Sequence, residues 1–329
     1  MAMNRRGWFA YRLGRHQAAQ RDLRQSLAVF IEWNEPAEAA LARYNLGVLS
    51  YQLGQYLEAE LLLQESLRIQ SRVNDRFGAA RTLSILGIIA RDQGKLDHAF
   101  EFLEESLALH RAIEEKRGIA RCLNLLALLH RDQGRLQQAR QQMEESLALA
   151  RDIEDVSGMA YALSLLGVVL YELGDYVTAR DYALESLELR ERIGDRRGMA
   201  FSHNDLARAL TRLERYDAAR DHFCQALAAA DSLDAKPLSY YVLASLAELE
   251  TRQGEPAQAL RLAALVLASG TTFETAAKCA QSVYERASAE LTPAEVDAVA
   301  KEVAVELYDR FVATVLENCG LSREPATPD

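Results

Sequence analysis

The residues in this chain best suited to chemistry are arginines and tyrosines set at a fixed interval. RDQG stands at 91–94 and again at 131–134, while the corresponding segments at 51–54 and 171–174 read YQLG and YELG. A guanidinium fork grips a carboxylate or phosphate at two points, and a tyrosine ring offers rigid contact area with a polar tip. Arg81, Arg91, Arg121 and Arg131 repeat at the same interval, so a surface that presents all four could read an anionic ligand. The competing use is internal: Arg91 against Asp132 satisfies both charges with no ligand at all, at a gain of roughly 0–1 kcal/mol for a partly exposed pair.

Catalytic patterns are missing. The chain has no GxxxxGK[ST] phosphate loop, no HExxH and no GxSxG turn. His16, His98, His110, His130, His203 and His222 form no pair at four-residue spacing, which argues against a helical metal site. Carboxylates are abundant, as in LEESLAL at 103–109, but they follow a solvated helix face and sit near arginines. No general acid–base pair stands out from that background. The expectation is a protein that is not an enzyme and holds no metal or cofactor.

Composition narrows the class further. With 26% charged and 49% hydrophobic residues and only six prolines, the 329-residue chain reads as a well-folded helical protein. A formal net charge of −10 argues against a general nucleic-acid or anionic-membrane surface. Cys122, Cys224, Cys279 and Cys319 lie far apart without paired spacing, which reads as separate buried thiols in a reducing compartment. The N-terminal stretch MAMNRRGWFAYRLG lacks a sustained apolar core, and no run of about 18 apolar residues follows, so a cytoplasmic location is expected.

The elements that must position the arginines come from an internal repeat. Gly14, Gly54, Gly94, Gly134, Gly174 and Gly254 fall on a 40-residue period, with Glu214 in the remaining slot. Ala19, Ala59, Ala99, Ala139, Ala179, Ala219 and Ala259 keep that period, as do Ser26, Ser66, Ser106, Ser146 and Ser186. Each unit reads as two helices: the first near 37–53, stopped by the glycine, and the second from about Tyr56. Asp75, Asp155 and Asp195 sit where a side-chain oxygen caps the following helix. The recurring small residues let paired helices cross closely.

Leu46-Gly47, Gly54, Tyr56, Ala59 and Leu63 resemble the tetratricopeptide pattern of a Leu-Gly pair followed by an aromatic, an alanine and a large apolar residue. The usual repeat is about 34 residues. The longer unit here is most similar to the sensor arrays of large bacterial nucleotide-binding transcription regulators. It is also similar to Leu-Gly-Asn repeats, but Val48, Ile88 and Val168 replace the asparagine, so that mode of peptide reading is not carried over. The resemblance covers residues 1 to about 269 and implies an all-α, right-handed α-solenoid of about seven two-helix units.

In that family ligands lie along the concave face of the first helices, and the resemblance implies which offsets face it. They give Tyr44 and Tyr51; Arg81, Arg91 and Asp92; Arg121, Asn124, Arg131 and Asp132; Tyr161 and Tyr171; Phe201, Asn204, Arg208, Thr211 and Arg212; and Tyr241. At 3.6 residues per turn the offsets share one side of a helix. Four central arginines flanked by aromatic residues suit an acidic or C-terminal peptide, or an acidic helix of a partner protein.

The period places the solenoid at 1–270, with a slightly short first unit that opens inside a helix, either as a cap or as a piece of something longer. Capping and interface helices are expected over 271–320 and a loose tail over 321–329. Thr271 with Glu274, and Thr292 with Glu295, look like capping boxes. Val296, Val299, Val303, Leu307, Phe311, Val315 and Leu316 then form a stripe that covers the end of the array, or makes a homo-oligomer or domain interface centred on Leu307, Phe311 and Val315. The functional expectation is a protein- or peptide-binding scaffold, the sensor part of a bacterial regulator acting on a nucleotide-binding ATPase module outside this chain. A stand-alone adaptor and a sensor of a small molecule or signalling peptide are the alternatives.

Overall fold

The computed structural model describes residues 6, 15–271, 273–305 and 308–321. Among them the regular elements are sixteen α-helices and no strand. Residues up to 158 and residues from 159 onward form two compact units.

The first unit holds α1 (His16–Glu32), α2 (Pro36–Gln52), α3 (Tyr56–Arg72), α4 (Arg76–Asp92), α5 (Leu96–Ala112), α6 (Lys116–Asp132) and α7 (Leu136–Asp152). α2 with α3, α4 with α5 and α6 with α7 are antiparallel pairs, and α2, α4 and α6 lie side by side. The 40-residue period is therefore one helix hairpin per repeat. Each hairpin turns through a left-handed residue: Gly54 has φ of 73° and Gly94 of 74°, a conformation that costs glycine least.

A serine clamp recurs in all three hairpins, and a close crossing at glycine in two of them, and together they explain the small and hydroxyl residues. Ser66, Ser106 and Ser146 donate from the second helix to the carbonyls of Ala40, Ala80 and Ala120 at 2.7, 2.7 and 2.9 Å. The helices approach so closely at Gly47 and Gly87 that a Cβ would lie 2.7 Å from Leu63 Cγ and 2.6 Å from Leu103 Cγ, respectively. Between hairpins, Asp75 caps α4 by accepting from Gly78 N at 2.8 Å, and Asp155 accepts from Gly158 N at 3.2 Å. Glu115 fills the same role at α6, accepting from Gly118 N at 2.6 Å.

The second unit contains the rest of α8 (Val156–Glu172), then α9 (Tyr176–Ile193), α10 (Arg196–Arg212), α11 (Tyr216–Ser232), α12 (Lys236–Gln253), α13 (Pro256–Ala268), α14 (Glu274–Glu290), α15 (Pro293–Val305) and α16 (Tyr308–Asn318). Ser186 repeats the clamp on Ala160, and Asp195 caps α10 through Gly198 N at 2.9 Å. Glu214 takes the left-handed turn with φ of 60°, a strained choice where the other hairpins use glycine.

The stacking does not stop where the sequence period does. α14 packs against both α12 and α13, as a further first helix would, α15 packs on α13, and α16 returns to α11. Thr292 and Glu295 form the capping box: Thr292 N donates to Glu295 Oε2 at 2.8 Å and Glu295 N to Thr292 Oγ1 at 3.4 Å. The box expected at Thr271 and Glu274 does not form, because α14 starts only at Glu274, and Thr271 Oγ1 instead accepts from Phe273 N at 3.2 Å.

Phe311 and Val315 are 2% and 7% exposed, sunk into the same core as Phe223 and Val266. They offer a partner no free face, and their burial is that of residues closing their own unit. Leu307 lies outside the described residues, as do residues 1–5, 7–14 and 322–329.

The reading of four separate thiols is corrected. Cys224 on α11 and Cys319 just after α16 are joined by a disulfide, with Cα atoms 6.0 Å apart, and only Cys122 and Cys279 are free. Ninety-five residues separate the pair in sequence, and the return of α16 to α11 removes that distance. The cysteine pattern thus lends no support to a reducing compartment. No described helix is long and apolar enough to cross a membrane.

Candidate functional site

In the first unit, the predicted face of α2, α4 and α6 divides into a linked part and an open part. Near the hairpin turns the side chains bind one another across repeats. Tyr51 donates to Asp92 Oδ2 at 2.8 Å, and Arg91 Nε donates to Asp132 Oδ2 at 2.8 Å. Burial and the hydrogen bond to Asp92 push the Tyr51 hydroxyl well above the ordinary phenol range. The two RDQG copies are thus joined across the repeat boundary: the arginine of the first reaches the aspartate of the second. Arg131 is half-buried on α6.

Nearer the other end of these helices the face opens. The Arg81 guanidinium lies 4.6 Å from the centre of the Tyr44 ring and 5.5 Å from that of Phe77, and its Nη2 donates to the Tyr44 hydroxyl at 3.3 Å. Beside it is a cavity of about 420 Å³ whose walls include Leu41, Tyr44, Phe77, Arg81, Asp75 and Glu38. Leu41 and Phe77 are 44% and 46% exposed, although both are large and apolar. Arg121 is exposed on the same side of α6, whereas Asn124 is buried there with its Oδ1 unpartnered.

In the second unit the aromatic residues gather around one arginine. Arg208 lies 4.3 Å above the Tyr171 ring and 5.8 Å from that of Tyr241, donates to the Tyr241 hydroxyl at 2.8 Å, and stands 3.7 Å from Asp205. Burial works against its charge, but Tyr241, Asp205 and Tyr171 outweigh it, so the guanidinium is held above its usual pKa and stays charged. Tyr161 is exposed at 44%. Phe201 packs half-buried against the core, and Asn204 is fully buried with neither amide atom hydrogen-bonded.

Several residues at these sites escaped sequence reasoning. Phe77 had a signal: its period-40 equivalents are Ala37, Arg117, Ser157, Arg197 and Pro237, so the aromatic is the departure. Cys279 and Arg286, on α14, line a cavity with Arg208 and lie outside the period that gave every other offset. His203 and His222 stack with ring centres 5.2 Å apart and Nδ1 atoms 3.1 Å apart, 19 residues apart on paired helices. Burial, and secondarily His222, pulls His203 down to about 4. Among the described residues no group of three or more histidine, cysteine or carboxylate side chains could hold a metal.

Comparison with known proteins places these faces in a family. Models described as tetratricopeptide repeat match residues 1–72, 78–152, 158–232 and 241–264. No curated protein sequence matches the chain significantly. Among solved structures, a signal-transduction ATPase with numerous domains and a tetratricopeptide repeat sensor, from Pyrococcus horikoshii, is similar at TM-score 0.62 and 14% identity, over 96% of this chain and 51% of that one. The apo quorum sensor NprR from B. thuringiensis is similar at TM-score 0.57 and 17% identity, over 86% of each chain. A Rap protein complexed with competence and sporulation factor is similar at TM-score 0.57 and 18% identity, over 80% of this chain and 76% of that one. At such identities the likeness is one of fold, whereas the repeat models span most of the sequence: the chain belongs to the tetratricopeptide repeat family.

Proposed function

We propose that the chain is a non-catalytic sensor scaffold that takes a peptide, or an extended segment of a partner protein, on the open faces of its first helices. The observation that carries this reading is the cavity of about 420 Å³ beside Tyr44, Phe77 and Arg81. Apolar side chains as large as Leu41 and Phe77 line it half-exposed, which suits an apolar anchor of a ligand, and Arg81 gives that anchor a charged neighbour. The role in a regulator draws on the company the fold keeps: one similar structure is a repeat sensor of a signal-transduction ATPase, another a quorum sensor, a third a Rap protein bound to a competence and sporulation factor. In this role, ligand binding biases a nucleotide-binding module outside the chain.

The test is peptide selection against the full chain, followed by affinity measurement with Phe77→Ala and Arg81→Glu. Weakening of about tenfold or more per variant, at unchanged helical content, supports the cavity as the seat, since buried aromatic and arginine anchors carry at least 1–2 kcal/mol. Selected peptides that bind both variants as tightly as the parent contradict it.

A further inference from the structure

We propose that the second unit carries a separate oxyanion seat, a cavity of about 270 Å³ closed by α14 and lined by Tyr171, Arg208, Arg212, Glu248, Cys279 and Arg286. It receives one carboxylate or phosphate group of a bound ligand. This rests on the reading that the first-helix faces bind a peptide, and it names the group recognised in the second unit.

The charges point to an anion. Three guanidinium groups line the cavity with one carboxylate, Glu248, which is already shared: it accepts from Arg252 Nε at 3.1 Å and pairs with Arg286. Asp205, 3.7 Å from Arg208, is the second carboxylate beside them, so the cations remain in excess. Arg208 is fixed by Tyr171 and Tyr241 and keeps its charge although largely shielded from water. Arg212, one turn further along α10, lies 4.6 Å from the centre of the Tyr176 ring and 5.9 Å from that of Tyr171, and no carboxylate hydrogen-bonds it among the described residues. Two like charges four residues apart on a helix repel. Stacking on tyrosine partly offsets that cost while leaving the edge N–H donors of Arg212 unused.

The repeat itself singles out this place. At the offset of Arg212 the second to fifth repeats hold Gln52, Asp92, Asp132 and Glu172, while the first and seventh hold Arg12 and Arg252. At the offset of Arg208 the other repeats hold Trp8, Val48, Ile88, Leu128, Val168 and Glu248, none of them basic. Asp92 and Asp132 are the acceptors of the inter-repeat links from Tyr51 and Arg91. In the sixth repeat the acceptor has become a donor and the aliphatic residue a cation. The sixth repeat alone carries a cation at both offsets, Arg208 and Arg212. α14, beyond the sequence period, then contributes Arg286 and walls the cavity. The volume lies just below the usual range of about 300–1,000 Å³ for drug-sized ligands, which suits one anionic group with a short side chain.

The probes are inorganic phosphate and acetate, titrated into the full chain at constant ionic strength with chloride as balance, and read by the arginine side-chain Nε–H signals in NMR. The expected result is saturable movement of the Arg212 and Arg286 signals, with affinity lowered about tenfold in Arg212→Gln or Arg286→Gln, the loss of one charge-assisted hydrogen bond. Phosphate active and acetate silent assigns a phosphate source; acetate active assigns a carboxylate. Shifts that never saturate with either anion, or affinities unchanged in both variants, overturn the seat. Peptides selected on the parent chain separate the two readings. If they still bind Arg212→Gln at full strength while the anions fail, the seat falls and peptide binding stands. If the anions bind and no peptide is selected, the seat stands without the peptide reading.

Discussion

Arg91 reaches across a repeat boundary and donates from Nε to Asp132 Oδ2 at 2.8 Å, with both side chains about one-third exposed. That single bond changes the meaning of the most conspicuous motif in the chain. The arginine of the first RDQG is spent on its neighbouring repeat, and the proposed function therefore assigns ligand reading to Arg81, which is held by aromatic rings beside a cavity.

Replacing Arg91 with alanine should therefore cost little. A partly exposed pair contributes about 0–1 kcal/mol, so urea unfolding should shift by no more than that, and peptides selected on the parent should bind as before. A loss of peptide affinity in Arg91→Ala of tenfold or more would return the arginine to the ligand.

His203 makes the fold sensitive to acid. It is 8% exposed and its folded pKa is about 4, against about 6.5 for a free histidine. Between those values the unfolded chain binds the extra proton, so the contribution is fully present above about pH 6.5 and is lost as pH falls towards 4. The difference between those two values corresponds to roughly 3 kcal/mol in all. Urea midpoints at pH 7 and pH 5 should diverge more in the parent than in His203→Gln; equal divergence would show that the histidine stack has no part in it.

The Cys224–Cys319 bond ties the last helix to α11 across 95 residues. Chain-entropy arguments give about 4–5 kcal/mol for a loop of this length, against about 2–4 kcal/mol for disulfides in general. Reductant should lower the unfolding midpoint of the parent and leave Cys224→Ser, already lowered, unchanged. A parent indifferent to reductant would mean that packing of Phe311 and Leu316 alone secures α16.

Close helix crossing predicts opposite outcomes for the same substitution. Alanine at Gly87 would drive its Cβ into Leu103, 2.6 Å away, and should destabilise by about 1–3 kcal/mol. At Gly167 the nearest atom is the Ala179 carbonyl at 3.4 Å, because Ala183 stands where Leu103 does, and alanine should gain roughly 0.5–1 kcal/mol from helix propensity. Thermal midpoints moving in the same direction would refute this account of the glycines.

The hairpins were legible because each is built by local rules repeated at one spacing: a left-handed turn at Gly94, a serine clamp at Ser106, a cap at Asp75. Helix bounds followed from them within a residue or so, Pro36–Gln52 against the expected 37–53. The site was legible only as a set of offsets. Periodicity says which residues share a side of a helix, but whether Arg91 meets Asp132 or solvent depends on side-chain reach between repeats. Beyond residue 270 the pattern ends while the packing continues, so the Cys319 bond and Arg286 had no periodic signal. The His203–His222 stack joins different offsets on paired helices and had none either.

The most direct measurement of the central claim is the affinity of display-selected peptides for the full chain and for Arg81→Glu, read by fluorescence polarisation. Binding to the parent with a loss of about tenfold or more in the variant, at unchanged circular dichroism, is the predicted result. Failure to select any peptide, or equal affinity for parent and variant, would contradict it.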